Sequence, residues 1–173
     1  MFLNHLKDFA AKKIVKNHLE GTALLPSGDP IRTVGILIDE SYFGHREALI
    51  DALRKEGLED ASINVLAFRD KVKKSDVFNY PVFSHADITW TATISRPQVR
   101  QFIDTPFDLL IDYYDVEKAA LLLVSHLSKA KFRVGFASVD KRLHHFMIDT
   151  TAEQYGIFAA ELAKYLRILN KIK

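Results

Sequence analysis

The sequence predicts a three-layer α/β domain, a mainly parallel sheet with helices on both faces. Three observations predict it. Apolar runs of strand length alternate with amphipathic stretches of helix length from residue 32 onward. Two of those runs, VGILI at 34–38 and LLI at 109–111, lack polar alternation, as strands buried on both faces require. The helical stretches are long enough to act as crossovers between parallel strands.

Each element follows from local pattern. Residues 2–20 are expected to form a helix, with Phe2, Leu6, Phe9, Ala10, Ile14 and Leu19 near one face and Gly21 as its stop. Lys7, Lys12, Lys13 and Lys16 lie on the other face, which suits a helix packed on the domain, or one resting on a membrane surface or partner. LLPSGDP reads as a loop. RTVGILID is the first strand, and HREALIDALRKEG a helix with Leu49, Ile50 and Leu53 inward and Gly57 ending it. SINVLAF is the second strand. Residues 69–84 are polar and irregular, and DITW at 87–90 reads as a short third strand. RPQVRQFI carries Pro97 at the first position of a helical turn. FDLLIDY is a buried fourth strand, and Asp115 is placed to cap the helix VEKAALLLVSHLSKA. FRVGF and HHFMI supply two more strands. Thr150 and Glu153 have the spacing of a capping box for a last helix over 151–171, striped by Tyr155, Phe158, Leu162, Leu166 and Leu169. The chain, 1–173, therefore reads as one Rossmann-like α/β domain with an extra helix at each end, 1–21 and 151–171.

Composition narrows the function. With 48% hydrophobic and 27% charged residues, the chain is neither disordered nor membrane-like. No apolar run approaches the roughly 18 residues of a membrane span. The N-terminal stretch lacks the apolar core and cleavage site of a secretory signal, so a cytoplasmic location is the default. The absence of cysteine excludes disulfides, thiolate catalysis and cysteine-ligated metal, and would suit an oxidising compartment equally. A net charge of +2 is too small to argue for nucleic acid.

In such a sheet ligands bind beyond the carboxyl ends of the strands. The sequence places Asp39, Glu40 and Ser41 after the first strand and Arg69 and Asp70 after the second. Asp112 to Asp115 follow the fourth, and Ala137, Ser138 and Asp140 the fifth. With the first and fourth strands adjacent, Asp39 and Asp112 would face one crevice, joined by His45 at the start of the following helix. This makes Asp39, His45 and Asp112 the catalytic candidates, and Ser41, Gly44, His45, Asp112 and Asp115 the ligand-binding candidates. The carboxylates have three readings: oxygen ligands for magnesium, a general acid and base, or a helix cap with two solvated loop acids. No metal site and no cofactor is assigned. Neither G-x-G-x-x-G nor G-x-x-x-x-G-K-[ST] occurs at the first turn, where Gly44 follows the bulky Tyr42 and Phe43.

Other polar residues have quieter readings. Gly135 inside FRVGF marks close packing. His144 and His145 are adjacent, so in a strand they point to opposite faces and do not share a metal. His126 lies among leucines as a packed or rim residue. Basic residues gather at Arg69, Lys71, Lys73 and Lys74, and again at Lys129, Lys131, Arg133, Lys141 and Arg142. Sharing a face, they would meet phosphates.

Two stretches carry a family resemblance. VGILIDESYFGHREALIDALRKEG resembles the opening strand, turn and helix of the heptosyltransferase-like glycosyltransferases. PFDLLIDYYDVEKAALLLVSHLSKAKFRVGFA resembles a later unit of the same N-terminal domain, with Phe107–Asp112, Leu121–Ala130 and Lys131–Phe136 matching in order. The resemblance implies the N-terminal half of a GT-B enzyme. In that family the first-turn glycine is followed by an aspartate implicated as catalytic base, and here Gly44 is followed by His45. The second domain that chiefly holds the donor in those enzymes is expected to be missing. The whole chain, including AELAKYLRILNKIK, also resembles short bacterial proteins of Bacteroidota type that bring no assigned function.

Three functions compete. The first is a non-catalytic cytoplasmic binding or accessory domain, with a protein partner open. The second is a small enzyme acting on a phosphorylated or sugar-like ligand at the strand edge. The third is a weak nucleic-acid- or ribosome-associated protein using the lysine patches.

Overall fold

The computed structural model describes residues 12–13, 29–73, 75–89 and 93–173. Their centre is a sheet of six strands: β1 (Thr33–Asp39), β2 (Ser62–Phe68), β3 (Val82–Phe83), β4 (Leu109–Tyr113), β5 (Arg133–Phe136) and β6 (Phe146–Ile148). All its pairings are parallel, and the order is β3-β2-β1-β4-β5-β6. Strand order reverses between β1 and β4, which creates the switch point of a Rossmann-type sheet. Every residue of β4, and all of β1 but Thr33, is buried, as the continuous apolar runs require.

Four α-helices among the described residues cover the sheet: α1 (Arg46–Leu53), α2 (Pro97–Asp104), α3 (Ala119–Leu127) and α4 (Tyr155–Ile168). Helix α1 packs beside α4 and α2 beside α3. On the α1/α4 face, Tyr113 and Phe136 of the sheet meet Phe158 with ring centres 5.0 and 4.8 Å apart. On the other, Ser125 of α3 bonds to Asp112 of β4. Leu49, Ile50 and Leu53 turn inward, and α1 unwinds through a wide turn over Arg54–Leu58. Gly57 sits in that turn at φ 119, a conformation that strains any residue with a Cβ. Among the described residues, no helix is long and apolar enough to cross a membrane.

Several boundaries differ from expectation. The third strand is Val82–Phe83, not DITW. A reciprocal cap between Ser84 and Asp87 turns the chain into a short 3₁₀ turn at His85–Asp87, and Ile88 keeps only a bridge to Ile94. Trp90 lies outside the described residues. Asp115 does not cap α3, which starts at Ala119 without a side-chain cap; its Oδ2 instead accepts the Ala152 N–H at 2.9 Å. Thr150 and Glu153 form no capping box. Thr150 donates to the Gln154 side chain, and α4 begins at Tyr155. Its entry is fixed from β4, where the Tyr113 hydroxyl donates to Ala152 O at 2.7 Å. Of the α4 stripe, Phe158, Leu162 and Leu166 are buried, while Leu169 lies beyond the last turn and is exposed. Lys12 and Lys13 are helical; the rest of the helix expected over 2–20 lies outside the described residues.

Candidate functional site

The carboxyl edge is built from the residues that end β1 and β2. Asp39 closes β1, and its Oδ1 accepts the Ser41 N–H at 2.9 Å, a local turn that aspartate favours. The Ser41 hydroxyl accepts the Asp70 N–H at 2.9 Å, tying the loop after β1 to the loop after β2. Strand alternation then sends Asp39 and Glu40 to opposite faces.

On one face Asp39 meets Lys118, the residue just before α3. The ammonium lies 2.7 Å from Asp39 Oδ2 and 2.9 Å from Asp70 Oδ1, between the rings of Tyr42 and Phe68 at 4.7 and 4.9 Å. The Lys118 side chain is 11% exposed, so pairing with two carboxylates is what makes its burial tolerable. His85 Nε2 stands 3.5 Å from the same Asp70 oxygen. Burial pulls the Asp70 carboxyl up, yet the hydrogen bond and charge of Lys118, with His85 behind them, outweigh it and hold its pKa below the ordinary value.

On the other face Glu40 is the hub. Its carboxylate, 5% exposed, accepts from Arg46 at 3.1 Å, from Arg69 at 3.1 and 2.8 Å, and from the Tyr80 hydroxyl at 2.9 Å. The Arg46 guanidinium also lies 3.6 Å over the Tyr80 ring. Beside this wall a cavity of about 290 Å³ opens on Gly44 and His45. His45 is exposed, its ring 5.9 Å from Phe43 and 6.4 Å from Tyr155. A side chain built at Gly44 would meet nothing within 4 Å, so the cavity floor is open there.

Asp112 belongs to neither cluster. It is wholly buried, and its Oδ2 accepts from both Ser125 Oγ and His144 Nε2, the latter at 2.9 Å. The residue types are those of a hydrolytic triad, but the arrangement is not. Serine and histidine both donate to one carboxylate oxygen, so the imidazole does not stand as base to the serine, and the site is closed to water.

The expected crevice of Asp39, His45 and Asp112 is thus corrected. Asp39 and His45 both reach the edge, on different faces of the sheet, while Asp112 is interior. Ser41 and Asp115 serve as turn and loop ties. Sequence reasoning missed Lys118, His85, Arg46 and Tyr80, and passed over Glu40 as one loop acid among several. Lys118 alone had a usable signal: a lysine between an acidic strand end and an apolar helix.

The lysine patches do not share a face. Arg69, Lys141 and Arg142 follow strands and lie at the carboxyl edge, while Lys129, Lys131 and Arg133 precede or open β5 at the amino edge. Lys129 pairs with Asp104, Lys131 with Asp108 and Arg142 with Asp140. Lys74 lies outside the described residues. Among the described residues no cluster of three or more His, Asp or Glu is arranged to hold a metal ion.

Fold and edge together define a Rossmann-type α/β domain with a polar site at the β1–α1 turn. Residues 7–169 match the family model for DUF6913, a family of unknown function, and the chain belongs to that family. No curated protein matches it.

Proposed function

We propose that the domain works in the cytoplasm as a non-catalytic binding module, taking a small sugar- or phosphate-bearing molecule in the cavity beside Gly44 and His45. The observation that carries this reading is the wall formed by Glu40, Arg46, Arg69 and Tyr80. Glu40 fixes both guanidinium groups, so they need no reorganisation when a ligand arrives. Arg69 bonds through Nε and Nη2, which leaves Nη1 for a ligand oxygen. Asp39 and Asp70 are engaged by Lys118, and Asp112 is closed to water, so none of them stands as a general base over the cavity. The resemblance of the β1–α1 turn to heptosyltransferase-like enzymes fits a sugar phosphate as ligand. His45, in place of that family's aspartate, favours binding over transfer.

The test is calorimetry with inorganic phosphate, hexose phosphates and nucleotide-sugars on wild type, His45→Ala and Arg69→Gln. Saturable hexose-phosphate binding is expected, weakened about tenfold by Arg69→Gln through loss of one charge-assisted hydrogen bond. Absence of binding across the panel, or binding indifferent to both variants, overturns the reading. Consumption of a nucleotide-sugar overturns its non-catalytic part.

A further inference from the structure

We propose that the open edge of β2 is a docking groove for an uncharged, extended segment of another protein, which adds one short strand to the sheet. The ladder bonds show which way each residue of β2 faces. Ser62 N–H donates to Arg32 O and Glu40 N–H to Phe68 O, so Ser62, Asn64, Leu66 and Phe68 face β1. Ala67 N–H donates to Pro81 O and Arg69 N–H to Phe83 O, so the alternate residues face β3. Ile63 and Val65 share that alternation and send their N–H and C=O groups to the outer side. Strand β3 is only Val82–Phe83 and pairs with Ala67 and Phe68 alone. The next ladder bond would join Val65 O to the N–H of residue 81, and Pro81 has none.

Along this edge runs a groove of about 460 Å³. Ile63 and Val65 line its base, Ile50 of α1 stands on one side, and Gln101 and Phe102 of α2 stand on the other. A helix on each side leaves room for a single extended chain, three to four residues or roughly 10–13 Å of strand. Such a contact is far below the ~1,000 Å² expected of a stable dimer, which argues against a second copy as the occupant. Charge complementarity sets the chemistry. The two charged residues lining the groove, Arg46 and Glu47, bond to each other at 2.7 Å, and the remainder is uncharged, apolar side chains with amides and the hydroxyls of Tyr80 and Thr105. An uncharged segment fits it, held by main-chain bonds and with alternate side chains turned toward Phe102.

Two measurements on the full chain test this. Hydrogen exchange by NMR should find the Ile63 and Val65 amides at least tenfold faster than those of Asn64 and Leu66; equal protection would mean the edge is already occupied. A phage-displayed library of random heptapeptides should then yield uncharged sequences whose synthetic copies protect those two amides. Their affinity should fall at least tenfold in Gln101→Trp, which fills the groove from an exposed helix position, and in Val65→Pro, which removes an outward N–H together with an apolar side chain of the groove base. Selection of charged sequences, affinity unchanged by the variants, or a dimer abolished by Gln101→Trp would each overturn the proposal.

Discussion

The two central strands on either side of the switch point treat the aspartates that end their apolar runs in opposite ways. Beside β1 and β2, Asp39, Glu40 and Asp70 stand at the rim and are met by lysine and arginine on flexible stems. Beside β4 and β5, Asp112 is sealed inside and met by a serine and a histidine. Register explains the difference. Asp112 pairs with Leu37, so it sits two residues deeper than Asp39, about 6–7 Å along the strand. Two aspartates that end similar apolar runs therefore have different fates: one lies at a site and the other inside the core.

That contrast is broken most directly at Asp112. Asp112→Ala leaves two buried donors without their shared acceptor and should cost roughly 3–5 kcal/mol in urea denaturation. Gly135→Ala attacks the same network without removing a polar atom. A Cβ there would lie 2.4 Å from the His144 ring, and overpacking of this kind costs roughly 1–3 kcal/mol. Losses below about 1 kcal/mol for both would mean that the buried network is not what holds β4, β5 and β6 together.

The same contrast marks what the sequence reveals. Continuous apolar runs disclosed β1 and β4 because burial on both faces leaves a composition no half-exposed strand has. SINVLAF was legible as a β-rich run even though its first half alternates, with Ser62 and Asn64 exposed, FRVGF as a short apolar run, and Pro97 marked the start of α2. The two-residue β3 was not legible, since Val82–Phe83 is too short to show a period and its neighbours form a cap. At the site, Asp39, Ser41, Gly44 and His45 were found because strand tips are where polar residues interrupt apolar runs. Depth was not legible: Asp112 looks like a tip residue until the register with β1 is known. Arg46, Tyr80, His85 and Lys118 come from separate segments, and only tertiary packing gathers them.

On the rim side the expected effect is smaller. Glu40→Gln keeps the size of the side chain but removes the charge that fixes Arg46 and Arg69, and should cost about 1–2 kcal/mol. Both arginines keep partial access to water, which limits the loss relative to Asp112. Thermal and urea denaturation of the two variants side by side gives the comparison directly. A larger loss at Glu40 than at Asp112 would reverse the ranking of the two regions and mark the rim cluster as a structural keystone.

The smallest effect separates the neighbouring histidines. While His144 turns inward to Asp112, His145 lies at the amino end of β6, stacked on Phe132, and its Nδ1 accepts the Arg133 N–H at 3.0 Å. Partial burial, with the Arg133 charge beside it, pushes the His145 pKa down from 6.5 to about 4. Because the folded value is depressed, the unfolded chain binds the extra proton first. His145 therefore contributes stability above about pH 6.5 and loses it as pH falls through about 4. A half-exposed ring is screened by solvent, so the contribution should be about 1 kcal/mol rather than the full value of the shift. Asp108 does not confuse the measurement. Burial raises its carboxyl, but Lys131 and the N–H groups of Arg32 and Thr33 outweigh that and hold it at about 2, so its share is lost only below its ordinary 3.8. Urea denaturation at about pH 7, 5.5 and 4.5 should show wild type weakening across this window. His145→Gln, which keeps an acceptor for the Arg133 N–H and carries no titratable group, should weaken by about 1 kcal/mol less. Parallel curves for the two proteins would place the acid-sensitive group elsewhere and leave His145 as packing alone.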